Sequence, residues 1–256
     1  MERDKPTAPA GRPPLIAVLA DVHGNLAALE AVIADMLRFD VDEVLCLGDL
    51  ANMGPEPSAT LARLRSLQPR TIMGNTDHYL IDPRRPEDVQ NANEETPIYL
   101  EVEAWCASRI SDEDRDWVRG FSPYLELEVG GCRVLAYHGS PRSFDDHILP
   151  DTPRTKLDEY LIGFEADLYL GAHVHHQFVM GFRRSIVANP GSVGMAFFRL
   201  EEGVEQPPVA EYALLQVVDG QPNLHLRRVP YDSSRVKDAA ERNGMPHAET
   251  FLRHLT

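Results

Sequence analysis

Leu15-Ile-Ala-Val-Leu-Ala-Asp21-Val-His23-Gly-Asn25 is the stretch on which the reading of this chain turns. Six apolar residues stop abruptly at an aspartate, and a histidine and an asparagine follow within four positions. A short continuous apolar run of this kind predicts a strand buried on both faces. It is too short for a signal-peptide core and far too short to cross a bilayer. The same pattern recurs along the chain. Val44-Leu-Cys-Leu47 runs into Gly48-Asp49, and Arg70-Thr-Ile-Met73 into Gly74-Asn75-Thr76-Asp77-His78. Val134-Leu-Ala-Tyr137 runs into His138-Gly139-Ser140, and Leu168-Tyr-Leu170 into Gly171-Ala-His173-Val-His175-His176. Ser185-Ile-Val-Ala188 runs into Asn189-Pro-Gly-Ser192.

Helical periodicity fills the spaces between the early strands. After Asn25, a good N-cap, apolar residues recur at Leu26, Leu29, Val32, Ile33, Met36 and Leu37. After Ser58 they recur at Leu61, Leu64 and Leu67. Strand–helix alternation predicts a parallel α/β sheet, whose ligands sit beyond the carboxyl ends of the strands. The polar residues quoted above fall at those ends. Residues from about 91 to 120 turn acidic and helical, with a capping box at Ser111 and Asp114, and read as an insertion serving as a lid. Hairpins are expected around Gly130-Gly131 and Asp219-Gly220, and a surface helix from Ser233. Residues 1–14, with four prolines and mixed charge, read as a disordered arm preceding one domain over 15–256.

The 256 residues carry 25 Lys and Arg against 40 Asp and Glu, a formal charge of −15. Such a surface disfavours an extended nucleic-acid face, which needs cations to neutralise phosphates. A small phosphate-containing ligand in a local positive pocket remains compatible with it. Cys46, Cys106 and Cys132 are odd in number and lack CxxC spacing, so a disulfide framework or thiolate zinc site is not indicated. The chain reads as cytoplasmic, with no membrane partner.

Taken singly, Asp21-x-His23, Gly48-Asp49, Gly74-Asn75 and His138-Gly139 each have an ordinary explanation as a turn, a cap or a satisfied histidine. His173-x-His175 says more, because on a strand the two side chains would share a face, with His176 opposite. Five consecutive strand ends presenting Asp, His or Asn favour a mixed nitrogen and oxygen metal site over coincidence.

In chain order these motifs resemble those of the calcineurin-like metallophosphoesterase superfamily: D-x-H, G-D, G-N-H-D/E, H and G-H-x-H. Asn189-Pro-Gly-Ser-Val-Gly194 is similar to its bacterial and archaeal branch of YfcE-type phosphodiesterases. The resemblance implies an α/β fold of two sheets forming a β-sandwich flanked by helices, the four-layer metallophosphoesterase architecture. It implies two divalent metal ions, with Mn²⁺ preferred and Fe, Zn²⁺ or Ni²⁺ as alternatives. Asp21, His23 and His175 would hold one ion, Asn75, His138 and His173 the other, and Asp49 would bridge them. Two divalent ions, two carboxylates and a shared hydroxide leave a formal charge of about +1, suited to a phosphate. The implied reaction is hydrolysis of small phosphoesters, phosphodiesters or nucleotide-like substrates, by in-line attack of that hydroxide. His78 is a candidate acid and Arg142 a candidate phosphate contact.

The chain departs from the family pattern at three places. Thr76 stands where many members carry a histidine, which removes the usual acid and counts against efficient monoester or phosphoprotein hydrolysis. Ala172 replaces a glycine, and Met195-Ala-Phe-Phe198 replaces a polar turn. That apolar segment is read as a substrate wall, a subunit contact or plain core packing. A serine/threonine protein phosphatase of the same superfamily, or a non-catalytic scaffold keeping the fold, are the competing functions. The oligomeric state is left open.

Overall fold

The computed structural model describes residues 12–89, 92–200, 203–253 and 255. The chain runs β1 (Leu15–Leu19), α1 (Leu26–Met36), β2 (Glu43–Cys46), α2 (Pro57–Ser66), β3 (Arg70–Thr71) and α3 (Asn75–Ile81). Two helices follow, α4 (Thr96–Ser108) and α5 (Asp112–Arg119), then the hairpin β4 (Tyr124–Val129) and β5 (Cys132–Tyr137). Next come α6 (Arg154–Leu161), β6 (Leu168–Leu170), β7 (Phe178–Phe182), β8 (Ser185–Asn189) and the short pair β9 (Phe198–Leu200) and β10 (Gly203–Glu205). The hairpin β11 (Val209–Val218) and β12 (Gln221–Pro230) leads to α7 (Ser233–Asn243) and α8 (Ala248–Phe251).

Two five-stranded sheets form, in the orders β12-β11-β1-β2-β3 and β4-β5-β6-β8-β7. Their centres are parallel, β1 with β2 with β3 and β5 with β6 with β8. The two predicted hairpins, and a third formed by β7 and β8, extend them antiparallel at the edges, so both sheets are mixed. Strand alternation sorts each apolar run into two cores. Ile16, Val18 and Ala20 face Val134, Ala136, Leu168 and Leu170 between the sheets. Ala17 and Leu19 face the other way, against Leu29 and Val32 of α1. On the far side of the second sheet, Leu135, Tyr137 and Tyr169 pack with Leu157 and Leu161 of α6. These three apolar layers make helix–sheet–sheet–helix, and no free sheet face remains to be covered at β1, β5 or β6.

One boundary differs from the sequence reading. Residues 1–11 lie outside the described part of the chain, but the arm does not extend to Pro14. Arg12 forms an ion pair with Asp42 at 2.9 Å, and the Gln216 amide donates to the Pro13 carbonyl. The 91–120 segment is helical as read and has a packed face as well as an exposed one. Val102, Cys106, Ile110 and Val118 are buried in the helix-side core of the first sheet. Val102 and Cys106 on α4 and Ile110 just after it follow a four-residue spacing and Val118 lies on α5, an apolar face that the surrounding acidic residues hide in composition.

Asp35 locks α1 to the sheet beneath it. It is 6% exposed, accepts from the Tyr212 hydroxyl at 2.8 Å and takes a two-pronged bond from Arg227. Burial opposes charge there, but Arg227 and Tyr212 outweigh it and hold the carboxyl below its ordinary range. This stabilisation is therefore present above the unfolded-state pKa and is lost as pH falls through the lower folded-state value. Asp35→Ala should destabilise the fold by about 3 kcal/mol at neutral pH by leaving Arg227 without its buried partner, as read by denaturant unfolding.

Candidate metal centre

All the candidate ligands lie where the parallel strands end. Asp21 and His23 follow β1, Asp49 follows β2, and Asn75 is the first residue of α3, just beyond β3. His138 follows β5, and His173 and His175 follow β6. Five of these residues have left-handed backbones: Asp21 (φ 53°), His23 (47°), Asp49 (58°), His173 (68°) and His175 (50°). Each such residue costs about 1 kcal/mol or more and persists only where its surroundings over-determine it. Here backbone bonds do so, from Asp21 N to Gly48 O and from His23 N to Asp49 O, both 3.0 Å. His173 and His175 therefore sit on a loop, not on a strand sharing a face. They go to different groups, and His176 is outside both.

Two groups of potential ligands result, Asp21 with His23 and His175, and Asp49 with His138 and His173, the donor atoms of each lying within 4.8 Å of one another. Asp49 Oδ2 stands between them, 3.7 Å from His23 Nε2 and 3.4 Å from His138 Nε2. Asn75 Oδ1 adds an oxygen 3.0 Å from His138 Nε2.

The donor set fits cations. His23 Nδ1 lies 3.0 Å from the Asn52 carbonyl, His138 Nδ1 2.7 Å from that of Leu47, and His175 Nδ1 2.9 Å from that of Met195. A carbonyl only accepts, so each Nδ1 carries a proton and each Nε2 is the nitrogen turned inward, available to a cation when the ring is neutral. The Nε2 atoms of His23 and His175 face each other at 3.0 Å. Asp21 Oδ1 and His173 Nε2 are buried with no hydrogen-bond partner among the described residues. Protons alone settle this arrangement unevenly. Burial opposes charge on His138, yet the Asp49 carboxylate overrides it and raises the imidazole to about 10. Burial and then His138 push His173 down to about 4.

A surrounding set of residues, quoted in the motifs but given no role by sequence reasoning, holds these groups. The buried Asp77 carboxylate accepts from the backbone of Asp49, Leu50 and Gly74. Thr76 N donates to Asp49 Oδ1, leaving only Oδ2 turned inward. Asn189 Nδ2 holds the Ala172 carbonyl, and Ser192 Oγ donates to that of Asp21. A Cβ on Gly74 would lie 2.2 Å from Asp49 Oδ1, which is why no larger residue fits there. Others carry no local signal. Glu103 of α4 pairs with Arg84, whose guanidinium lies 4.1 Å over the ring of Tyr79. The exposed His147 meets His173 edge-on at 4.7 Å.

His78 and Arg142 belong to neither group. His78 is exposed on α3, with its ring toward Tyr79. Arg142 donates to the Ile162 carbonyl and lies over Phe164, so its described contacts are away from the histidines and carboxylates.

The profile of the calcineurin-like phosphoesterase superfamily domain matches residues 15–219. The chain belongs to this superfamily. An uncharacterized protein of Methanocaldococcus jannaschii is 24% identical over 249 residues, 91% of this chain and 94% of that one. A symmetrical bis(5'-nucleosyl)-tetraphosphatase of Methylococcus capsulatus is 39% identical over 70 residues, 26% of this chain and 25% of the other. The crystal structure of a metallophosphoesterase from Sphaerobacter thermophilus shares the fold, with a TM-score of 0.71 and 23% identity over 94% of this chain and 99% of that one. The two-sheet, helix-flanked arrangement is thus that of the superfamily. Among the described residues, no helix is long and apolar enough to cross a membrane.

Asp49→Asn should remove at least one bound divalent ion per chain while leaving far-UV circular dichroism unchanged, since the amide keeps the shape but loses the charge between the two groups. His175→Ala should weaken one ion only. Elemental analysis after Mn²⁺ loading checks both, and two retained ions in Asp49→Asn would refute the shared position of that carboxylate.

Proposed function

We propose that this superfamily member hydrolyses small phosphoesters, preferring phosphodiesters or nucleotide-like esters, with two divalent ions, Mn²⁺ first among them. Asp21, His23 and His175 would hold one ion and Asn75, His138 and His173 the other, with Asp49 shared. The observation that carries this reading is the convergence of buried imidazole nitrogens on Asp49 Oδ2, with Asp21 Oδ1 and His173 Nε2 left without a hydrogen-bond partner among the described residues. When bound, such ions supply positive charge for phosphate oxygens and lower the pKa of water, giving a nucleophile at neutral pH.

The protein's own residues do the positioning. Asn52, Leu47 and Met195 carbonyls hold the Nδ1 protons outward, so the imidazoles keep one tautomer and one orientation. Asp77 fixes the backbone on either side of Asp49. Both carboxylates are buried, so an anionic substrate meets their charge only after it has been offset. At position 76 the backbone N–H serves Asp49, and the side chain, 8% exposed, is a hydroxyl with no proton to give at neutral pH.

The absence of an imidazole there sets the substrate preference. A poor leaving group such as a seryl alkoxide needs protonation, and a positioned acid contributes about 10²–10⁴-fold. Aryl leaving groups need it least. With Mn²⁺ added, turnover of an aryl phosphodiester should exceed that of a phosphoserine peptide by about 100-fold or more, and chelation should abolish it. Comparable rates on the two substrates would overturn the preference. No hydrolysis of any ester by protein shown to hold two ions would overturn the activity and favour the scaffold reading.

A further inference from the structure

Next to His23 and His175 the surface opens into an apolar recess that phosphate chemistry does not require. Met53, one position past Asn52, and Met195, whose carbonyl receives the His175 proton, form its inner wall. The same two methionines line a smaller cavity whose wall includes His23, so the recess borders two of the candidate ligand side chains. Tyr99 of α4, Phe197 and Phe251 of α8 complete a space of about 150 Å³. Phe197 lies flat against the His175 imidazole, with centroids 5.3 Å apart and planes 9° from parallel. Tyr99 and Phe251 meet edge to face at 5.4 Å. Tyr99 is nonetheless 41% exposed, a large aromatic surface left open toward the space.

Polarisable sulfurs and flat rings select a flat aromatic group through stacking and sulfur–ring contact. A cavity on the order of 150 Å³ accepts one small ring system, and a peptide segment is far larger. The wall is not wholly apolar, since it includes the Glu95 carboxylate and the amide of Gln206, which is 6% exposed. An aliphatic chain would bury these two groups without partners at a real cost. A ring with N–H donors and acceptor atoms on its edge would satisfy them. Glu95 also repels a second phosphate, so the group entering the recess is the uncharged end of the ester.

We infer that this recess is a nucleobase subsite, holding the base of a nucleoside phosphate ester whose phosphate lies at the metal centre. The inference rests on the proposed phosphoesterase function and names its substrate more closely. It also gives Met195-Ala-Phe-Phe198 a role, as the wall that joins the metal ligands to the base.

Ribose 5-phosphate and adenosine 5'-monophosphate differ by the base alone, so calorimetric titration of both into Mn²⁺-loaded protein isolates the recess. The nucleotide should bind about tenfold tighter or more, the scale of one base–aromatic stack. Tyr99→Ala, and independently Phe251→Ala, should bring the two affinities together while leaving ribose 5-phosphate unchanged. Equal affinities in the parent protein, or a nucleotide preference that survives both substitutions, would overturn the subsite and leave the phosphoesterase reading standing. Failure of the loaded protein to bind ribose 5-phosphate, adenosine monophosphate or inorganic phosphate would overturn both.

Discussion

Two imidazole nitrogens are held 3.0 Å apart, each ring anchored through Nδ1 to a backbone carbonyl, and the centre of the structure is organised around that constraint. His23 and His175 come from opposite sheets, 152 positions apart in the chain. Neither relaxes, because each Nδ1 proton is committed to a backbone carbonyl. The same constraint recurs at His138, whose inward nitrogen faces Asp49 and Asn75. Carboxylates and imidazole nitrogens crowded together in a buried place call for positive charge among them, from protons or from metal ions. Superfamily membership and the two ligand groups are consistent descriptions of one electrostatic requirement.

The fold supplies the rigidity that this requirement demands. Left-handed backbones at five ligand positions are held by bonds between the loops after β1 and β2, and by the loop after β8. Ser192 and Gly194 both reach the Asp21 carbonyl, and Asn25 spans from the start of α1 to the Gly194 carbonyl. The two sheets meet through the apolar layer of Ile16, Val18, Val134 and Leu168, so one close-packed core sets the distance between the ligand groups.

The helices after β3 connect this rigid centre to its rim. One face of α4 is buried in the core through Val102 and Cys106, while Tyr99 stays open beside Phe251 and Glu103 engages Arg84. The segment is thus both structural layer and site border. Its acidic composition suggests a mobile surface element, but the i, i+4 stripe of apolar residues determines where it packs.

Local pattern is enough to define most of the elements here. The β-branched runs, the Asn25 cap, the Ser111–Asp114 box and the two glycine turns each encode a local preference, and each element forms where that preference lies. The ordered Asp, His and Asn motifs likewise mark the candidate ligands, because strand-end residues in parallel sheets point to one edge. What local pattern does not contain is any distance across the chain. The sequence places His173 and His175 on one strand face, but tertiary packing puts them on a left-handed loop serving two groups. Asp77, Asn52 and Ser192 each hold a ligand residue far away in sequence, Asp49, His23 and Asp21, and Tyr99 and Phe251 meet across about 150 residues. Only packing of the two sheets decides these contacts, because they depend on which surfaces meet and not on what either segment prefers alone.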